Sequence, residues 1–347
     1  VFAYPGETPV LDLSNLTGNN RRFGINLVNC SHWHLKGLTV QNLRAYSPSL
    51  NTGFRNNNCR NITFEMCISR KNDGAGFAQS DGGDGNNYIN CDAHDNYDPL
   101  NGGEAGDGFI FGLNLDQSVI TICRGCRSWN NSDDGFDTYG NEGTIKYYSC
   151  WAFDNGYGTD GDGAGFKLGK NNIKPLKTPQ RILVNCLAYN NKGIGFDLSE
   201  GDIQVLIFNS VGFNNLIGLI INKYCQPSSI IRNNISFKNT LQNSIKAKII
   251  QDHNSWNGLN KVSELDFKSL SDDGMAGPRN RDGKLPETNF LRLAPDSKLI
   301  DAGTYIGIPY YGKAPDIGAF ETEFAKNVRS KNDKAGWLKQ LFDDNHE

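Results

Sequence analysis

The sequence predicts an all-β fold: a right-handed parallel β-helix, or solenoid, with an irregular C-terminal cover. Three observations predict it. A short segment recurs with a basic period of 24 residues, glycine and asparagine are abundant, and helix-periodic stretches are few. The recurring segments are "CISRKN" (67–72), "CDAHDN" (91–96), "CRSWNN" (126–131), "CWAFDN" (150–155), "CLAYNN" (186–191), "SVGFNN" (210–215) and "NISFKN" (234–239). Their final asparagines are 24, 35, 24, 36, 24 and 24 residues apart, so two intervals carry insertions of 11 or 12 residues.

Each element of the repeat has a structural reading. Gly-Phe recurs at 53–54, 76–77, 108–109, 135–136, 165–166 and 195–196, with Gly-Leu at 218–219. Apolar stretches such as "NITFEMC", "YYSC" and "ILVNC" form a third landmark. One period therefore holds three short strands separated by turns. A 24-residue period without helices fits a parallel β-helix better than helical arrays or leucine-rich repeats, and a propeller blade needs nearly twice as many residues. Asparagine suits the fixed turn position, because it tolerates left-handed backbone and its amide reaches the asparagine one coil away. Cysteine, phenylalanine, isoleucine and leucine supply the inward column. Right-handed coils follow from the chirality of parallel crossovers.

The repeat fades after about residue 260. "LPETNFLRLAPDSKLIDAGT" and "APDIGAFE" read as a cover over the last coil, which an open sheet end requires. Residues 1–322 are thus expected to form a single β-helix domain, truncated at its N-terminal side. Residues 323–347 form a polar tail with a short amphipathic helix. The chain starts at Val1 with no basic-then-apolar leader, so a signal peptide is expected to have been removed or to lie upstream. The expected setting is secreted, periplasmic or cell-surface, and the expected state a monomer.

Composition excludes some partners. The 35 basic and 38 acidic residues give a net charge of −3 over 347 residues, which argues against nucleic acid. The longest apolar runs are too short to span a membrane. Cys91, Cys126, Cys150 and Cys186 occupy one repeat position and read as core thiols rather than a disulfide framework. Trp129, Phe153 and Tyr189 share a column and read as packing. His32, His34 and His94 are scattered and carry no assigned role, and residues 272–283 read as a loop.

In a β-helix, matching positions of successive coils stack about 4.8 Å apart. The residues after the Gly-Phe landmark run Arg55, Ala78, Ile110, Asp137, Lys167, Asp197 and Ile220. With the phenylalanines inward, this column faces outward, and Asp137 adjoins Lys167. The residue before the glycine places Asp107 beside Asp134, with Asp133 adjacent in sequence. Four carboxylates thus converge with a lysine at their edge. The insertions, residues 97–106 and 156–163, precede Asp107 and Lys167 and form the walls of a groove.

Such a patch suits a hard cation. Calcium takes six to eight oxygens, and Asp107, Asp133, Asp134 and Asp137 supply several. No histidine or cysteine joins them, which argues against zinc and copper. A bound cation lowers the pKa of a neighbouring lysine, whereas carboxylates raise it. With its pKa lowered, Lys167 is a general base, and the matching reaction is β-elimination on a uronic acid. The plainer reading is a turn capped by Asp133 and a surface pair between Lys167 and Asp137. Two further readings stand beside the lyase: a non-catalytic carbohydrate-binding β-helix, and a glycoside hydrolase using two carboxylates.

The segments "NCDAHDNYDP", "GDGF", "CRSWNNSDDGFD", "CWAFDNG", "GAGFKLG" and "LPETNFLRL…DSKLIDAGT…APDIGAFE" resemble polysaccharide lyase family 9, the right-handed β-helix pectate lyases and their relatives. The resemblance runs from about residue 50 to residue 322. It implies calcium at the aspartates matching Asp107, Asp133, Asp134 and Asp137, and a base at Lys167. It also implies further sequence before the first matching coil. Pectate-cleaving members carry lysines soon after the first "DGF", where this chain reads "DGFIFGLNLDQS". Polygalacturonate carries a carboxylate on every sugar and calls for a basic groove. The expected substrate is therefore the rhamnogalacturonan I backbone, with pectate as the alternative. Arg55 and Lys170 are the expected contacts to substrate carboxylates.

Overall fold

The Gly-Phe landmark builds one wall of the solenoid. A Cβ on Gly76, Gly108, Gly135 or Gly165 would lie 2.6–2.7 Å from the carbonyl oxygen of the next glycine in the column. Only glycine allows the coils to approach this closely. The phenylalanine after each glycine points inward. Phe54, Phe77, Phe109, Phe136 and Phe166 are register partners on successive coils. Their rings stack at 4.8 Å between centroids, which is the spacing of neighbouring strands. Each buried ring contributes roughly 1.5–3 kcal/mol.

The structure is a computed structural model. It describes residues 1–16, 22–45, 51–112, 114, 116–169, 181–258, 261–322 and 328–329. Among them, three sheets of nine strands wind in parallel around a shared core. The site sheet runs from Phe23–Val28 to Leu241–Ile245 and carries the Gly-Phe column. The flank sheet runs from Val10–Asp12 to Ile235–Phe237 and contains the recurring segments. The back sheet runs from His34–Lys36 to Ile250–Asp252. The 24-residue period corresponds to one strand from each sheet.

The asparagine column is a buried amide ladder. Asn72 Nδ2 donates to Asn96 Oδ1 (3.1 Å), Asn96 to Asn131 (2.9 Å), and Asn131 to Asn155 (3.0 Å). Asn155, Asn191, Asn215 and Asn239 continue it. The left-handed backbone falls one residue earlier, at Lys71, Asp95, Asn130, Asp154, Asn190, Asn214 and Lys238. The two properties expected of one asparagine are therefore divided between neighbours. The first residue reverses the chain, and the second is turned inward to bond along the axis.

Cys91, Cys126, Cys150 and Cys186 are fully buried, as expected of core residues, and all nine cysteines are free thiols. His34 pairs with Glu65, and His94 stacks on Trp129.

The C-terminal cover takes a different course from the one expected. It packs along the flank sheet over several coils rather than over the last coil alone. Val262, Phe267, Met275, Phe290, Leu293 and Ile317 close over Trp151, Phe153, Tyr189 and Phe213. The aromatic column of the flank sheet is thus the seat of this cover. Residues 272–283 form its loop, and Arg279 anchors it. Asp92 receives Arg127 Nε and Nη2 (2.9 and 2.7 Å) and Arg279 Nε and Nη2 (3.1 and 2.6 Å). Arg127 also donates to the carbonyls of Met275 and Gly277. Most of the 323–347 tail, with its expected helix, lies outside the described residues; Val328–Arg329 pairs antiparallel with Tyr310–Tyr311. Among the described residues, no helix is long and apolar enough to cross a membrane.

Candidate active site

The outward column of the site sheet follows the register read from the sequence. Arg55 pairs with Ala78, Ala78 with Ile110, Ile110 with Asp137, Asp137 with Lys167, and Lys167 with Asp197. Asp107, Asp134 and Asp137 come together: one carboxylate oxygen from each lies within 4.8 Å of the others. Asp107 and Asp134 are buried, and Asp137 is partly open.

Backbone hydrogen bonds orient these carboxylates. Asp107 Oδ1 accepts from Asp134 N (3.2 Å), Asp134 Oδ1 from Ala164 N (2.6 Å), and Asp137 Oδ1 from Tyr139 N (2.7 Å). Asp133 Oδ1 accepts from Asp162 N (2.7 Å). In each carboxylate one oxygen is tied to the backbone and the second is left for another partner. Asp133 lies outside the tight triad and secures the second insertion, although its charge still bears on Asp107.

Lys167 compensates the clustered carboxylates only in part. Burial and the neighbouring Asp133, Asp137 and Asp134 push the Asp107 pKa well above the carboxylate range. Burial, with Asp134 beside it, raises Asp133 to about 9. Burial raises Asp134 to about 7 against the pull of Lys167, and Asp137 is raised for the same reason. A divalent cation offsets this mutual repulsion, and an all-oxygen donor set fits calcium.

Lys167 Nζ lies 3.0 Å from Asp134 Oδ2 and donates to Asp162 Oδ2 at 2.8 Å. Its amine therefore pairs with these two carboxylates, although its register neighbour is Asp137. Burial pulls the Lys167 pKa down, but Asp134 and Asp137 outweigh burial and hold it above the ordinary lysine value. Thr138 Oγ1 donates to the Lys167 carbonyl (2.8 Å), and buried Arg181 Nε donates to Thr138 Oγ1 (2.9 Å). Arg181 also bonds the carbonyls of Gly143 and Asn141, bracing the turn after Asp137.

Sequence reasoning missed Asp162 and Arg181. Asp162 lies inside an insertion, where the repeat register does not apply. Arg181 opens a back-sheet strand, and no outward column includes it. The two insertions join into one wall: Asp160 N and Thr159 Oγ1 bond Gly102 O, Ser132 Oγ bonds Gly103 O, and Tyr97 stacks on Tyr157. Arg55 shares the outward face but sits three coils from Asp137, about 14 Å away at sheet spacing. Its guanidinium lies over Phe23. Lys170 lies outside the described residues.

A family model described as Pel9A-like, right handed beta helix region, matches residues 1–243. The chain belongs to this family. The Pel9A-like assignment makes the solenoid right-handed and the protein a polysaccharide lyase. Pectate lyase L of Dickeya chrysanthemi is 36% identical over 300 residues, covering 84% of this chain and 67% of that protein. Pectate lyase PEL9 of Emericella nidulans is 28% identical over 331 residues, covering 87% and 79%. Among solved structures, pectate lyase Pel9A superposes with a TM-score of 0.73 at 32% identity, covering 86% of this chain and 73% of that one. A rhamnogalacturonan lyase superposes with a TM-score of 0.71 at 28% identity, covering 85% and 78%.

Proposed function

We propose that this pectic lyase is calcium-dependent and cleaves a galacturonate-containing backbone by β-elimination, with Lys167 as the base. The observation that carries the reading is the pairing of Asp137 with Lys167 on adjacent coils beside the Asp107–Asp134–Asp137 triad. The protein is proposed to act as a secreted, periplasmic or cell-surface monomer.

Asp107, Asp134 and Asp137 would hold the cation through the oxygens not tied to backbone N–H groups. Asp133 completes the anionic field and keeps the second insertion in place. Calcium held there would supply a Lewis acid for the substrate carboxylate and would offset the carboxylates that otherwise keep Lys167 protonated. Lys167 exchanges its contacts with Asp134 and Asp162 for the substrate. Its neutral amine takes the C5 proton, the C5–H electrons become the C4–C5 double bond, and the bond from C4 to the glycosidic oxygen breaks. The leaving oxygen takes a proton from solvent, and a 4,5-unsaturated uronide remains. Arg55, three coils from Asp137, and Lys170 are assigned to carboxylates of the substrate.

The preferred backbone is rhamnogalacturonan I. Two register neighbours before Asp137 are Ile110 and Ala78, which offer no cation to a uronate on every sugar. Polygalacturonate is the second reading, favoured by the relatives named pectate lyase. A panel of polygalacturonate, methylated pectin and rhamnogalacturonan I, each with calcium or chelator, tests the proposal. Unsaturated product that appears only with calcium supports it, and saturated product or equal rates in chelator contradict it.

A further inference from the structure

The outward column runs along the solenoid axis, and the joined insertions stand along one side of it. A polysaccharide seated against this wall therefore crosses successive coils. One coil before Asp137 the floor is uncharged. Ile110 is half-buried there, and Ala78 beyond it is nearly covered. Gly112, two residues after Ile110, faces the same way. A Cβ on Gly112 would lie 3.4 Å from Ile110 Cγ2 and 3.8 Å from Tyr139 O, so this glycine keeps the surface flat between the two residues. Tyr139 lies in the turn after Asp137 and is 45% exposed.

We propose that Ile110, Gly112 and Tyr139 form an uncharged platform that receives the neutral sugar next to the cleaved galacturonate. The proposal rests on the lyase reading and adds the feature that selects an alternating backbone. An aliphatic side chain and an exposed aromatic residue on the next coil can cover the C–H face of a pyranose, and the methyl group of a 6-deoxy sugar adds to that contact. Among the described residues of this column, a uronate at the same place would lose hydration without gaining a cation, because Ala78, Ile110 and Asp137 separate Arg55 from Lys167. On the far side of Lys167 the next outward residue is Asp197, which repels a carboxylate as well. A backbone with a carboxylate on every second sugar avoids both costs.

The test is kcat/KM on rhamnogalacturonan I and on polygalacturonate for the wild type, Ile110→Lys and Tyr139→Ala, at low ionic strength with calcium. The wild type should prefer rhamnogalacturonan I. Ile110→Lys should shift the ratio about tenfold toward polygalacturonate, chiefly through KM, and added salt should erase the shift. Tyr139→Ala should raise KM for rhamnogalacturonan I severalfold with kcat little changed, and it carries the test alone if Ile110→Lys fails to fold. A wild-type preference for polygalacturonate, or variants that leave the ratio and KM unmoved, would overturn the platform while leaving the lyase intact. A wild type that generates no unsaturated product from either polymer would overturn the lyase reading and the platform with it.

Discussion

Asp137 and Lys167 face each other in register across one strand spacing, although the chain makes a full coil and an insertion between them. The solenoid thus brings together a carboxylate and an amine that no local turn could pair. Lys167 then reaches Asp134 and Asp162, so its charge is shared between the preceding coil and the second insertion.

The metal-free protein should lose stability as pH rises. Asp134 and Asp133 titrate at about 7 and about 9 in the folded chain, against about 3.9 when unfolded. Each stays protonated in the fold while it ionises in the unfolded chain, so stability is lost from about pH 4 up to the folded pKa. Lys167 does not offset this below pH 9, because an unfolded lysine titrates near 10.4. Thermal unfolding in chelator should show Tm falling from pH 5 to pH 8, and calcium should raise Tm more at pH 8 than at pH 5. A Tm that climbs with pH in chelator contradicts the buried anionic cluster.

Asn155→Ala should destabilise the middle of the solenoid by about 2–4 kcal/mol. The substitution removes the bonds from Asn155 to Asn191 and to Ser128 O, and it strips Asn131 of its acceptor. Urea titration measures the loss. An effect below about 0.5 kcal/mol would mean that the ladder is ornamental.

Arg279→Ala should loosen the cover before it unfolds the coils. Asp92 would keep Arg127 as a partner, so the expected cost is about 2 kcal/mol. Arg127→Ala should cost more, about 3–5 kcal/mol, because Arg127 is the more deeply buried partner of Asp92 and of the Met275 and Gly277 carbonyls. Limited proteolysis should cut residues 270–290 first in both variants. Cutting in the coils before the cover contradicts the clasp.

Periodicity explains what the sequence made legible. The register of Phe136 with Phe166 and of Asp137 with Lys167 follows from counting, because every coil repeats one strand of each sheet. Asp107, Asp134 and Asp137 are neighbours for the same reason. Asp162 was not legible, because an insertion leaves the register and folds back by its own contacts. The path of the cover was hidden likewise: Met275, Phe290 and Ile317 follow no period, and only the aromatic column of the flank sheet hinted at where they dock. The ladder was half legible, since composition identifies a turn asparagine without saying which of two adjacent residues takes the left-handed backbone.

The central claim is that Lys167 abstracts a proton beside a cation held by the aspartates. The most direct test follows formation of the unsaturated uronide by ultraviolet absorbance, for the wild type and for Lys167→Ala, with calcium on rhamnogalacturonan I and on polygalacturonate. The account predicts product from the wild type and a loss of about 10²–10⁴ in kcat for Lys167→Ala, with its folded circular dichroism spectrum retained. A folded Lys167→Ala variant that forms the unsaturated product at the wild-type rate would contradict it.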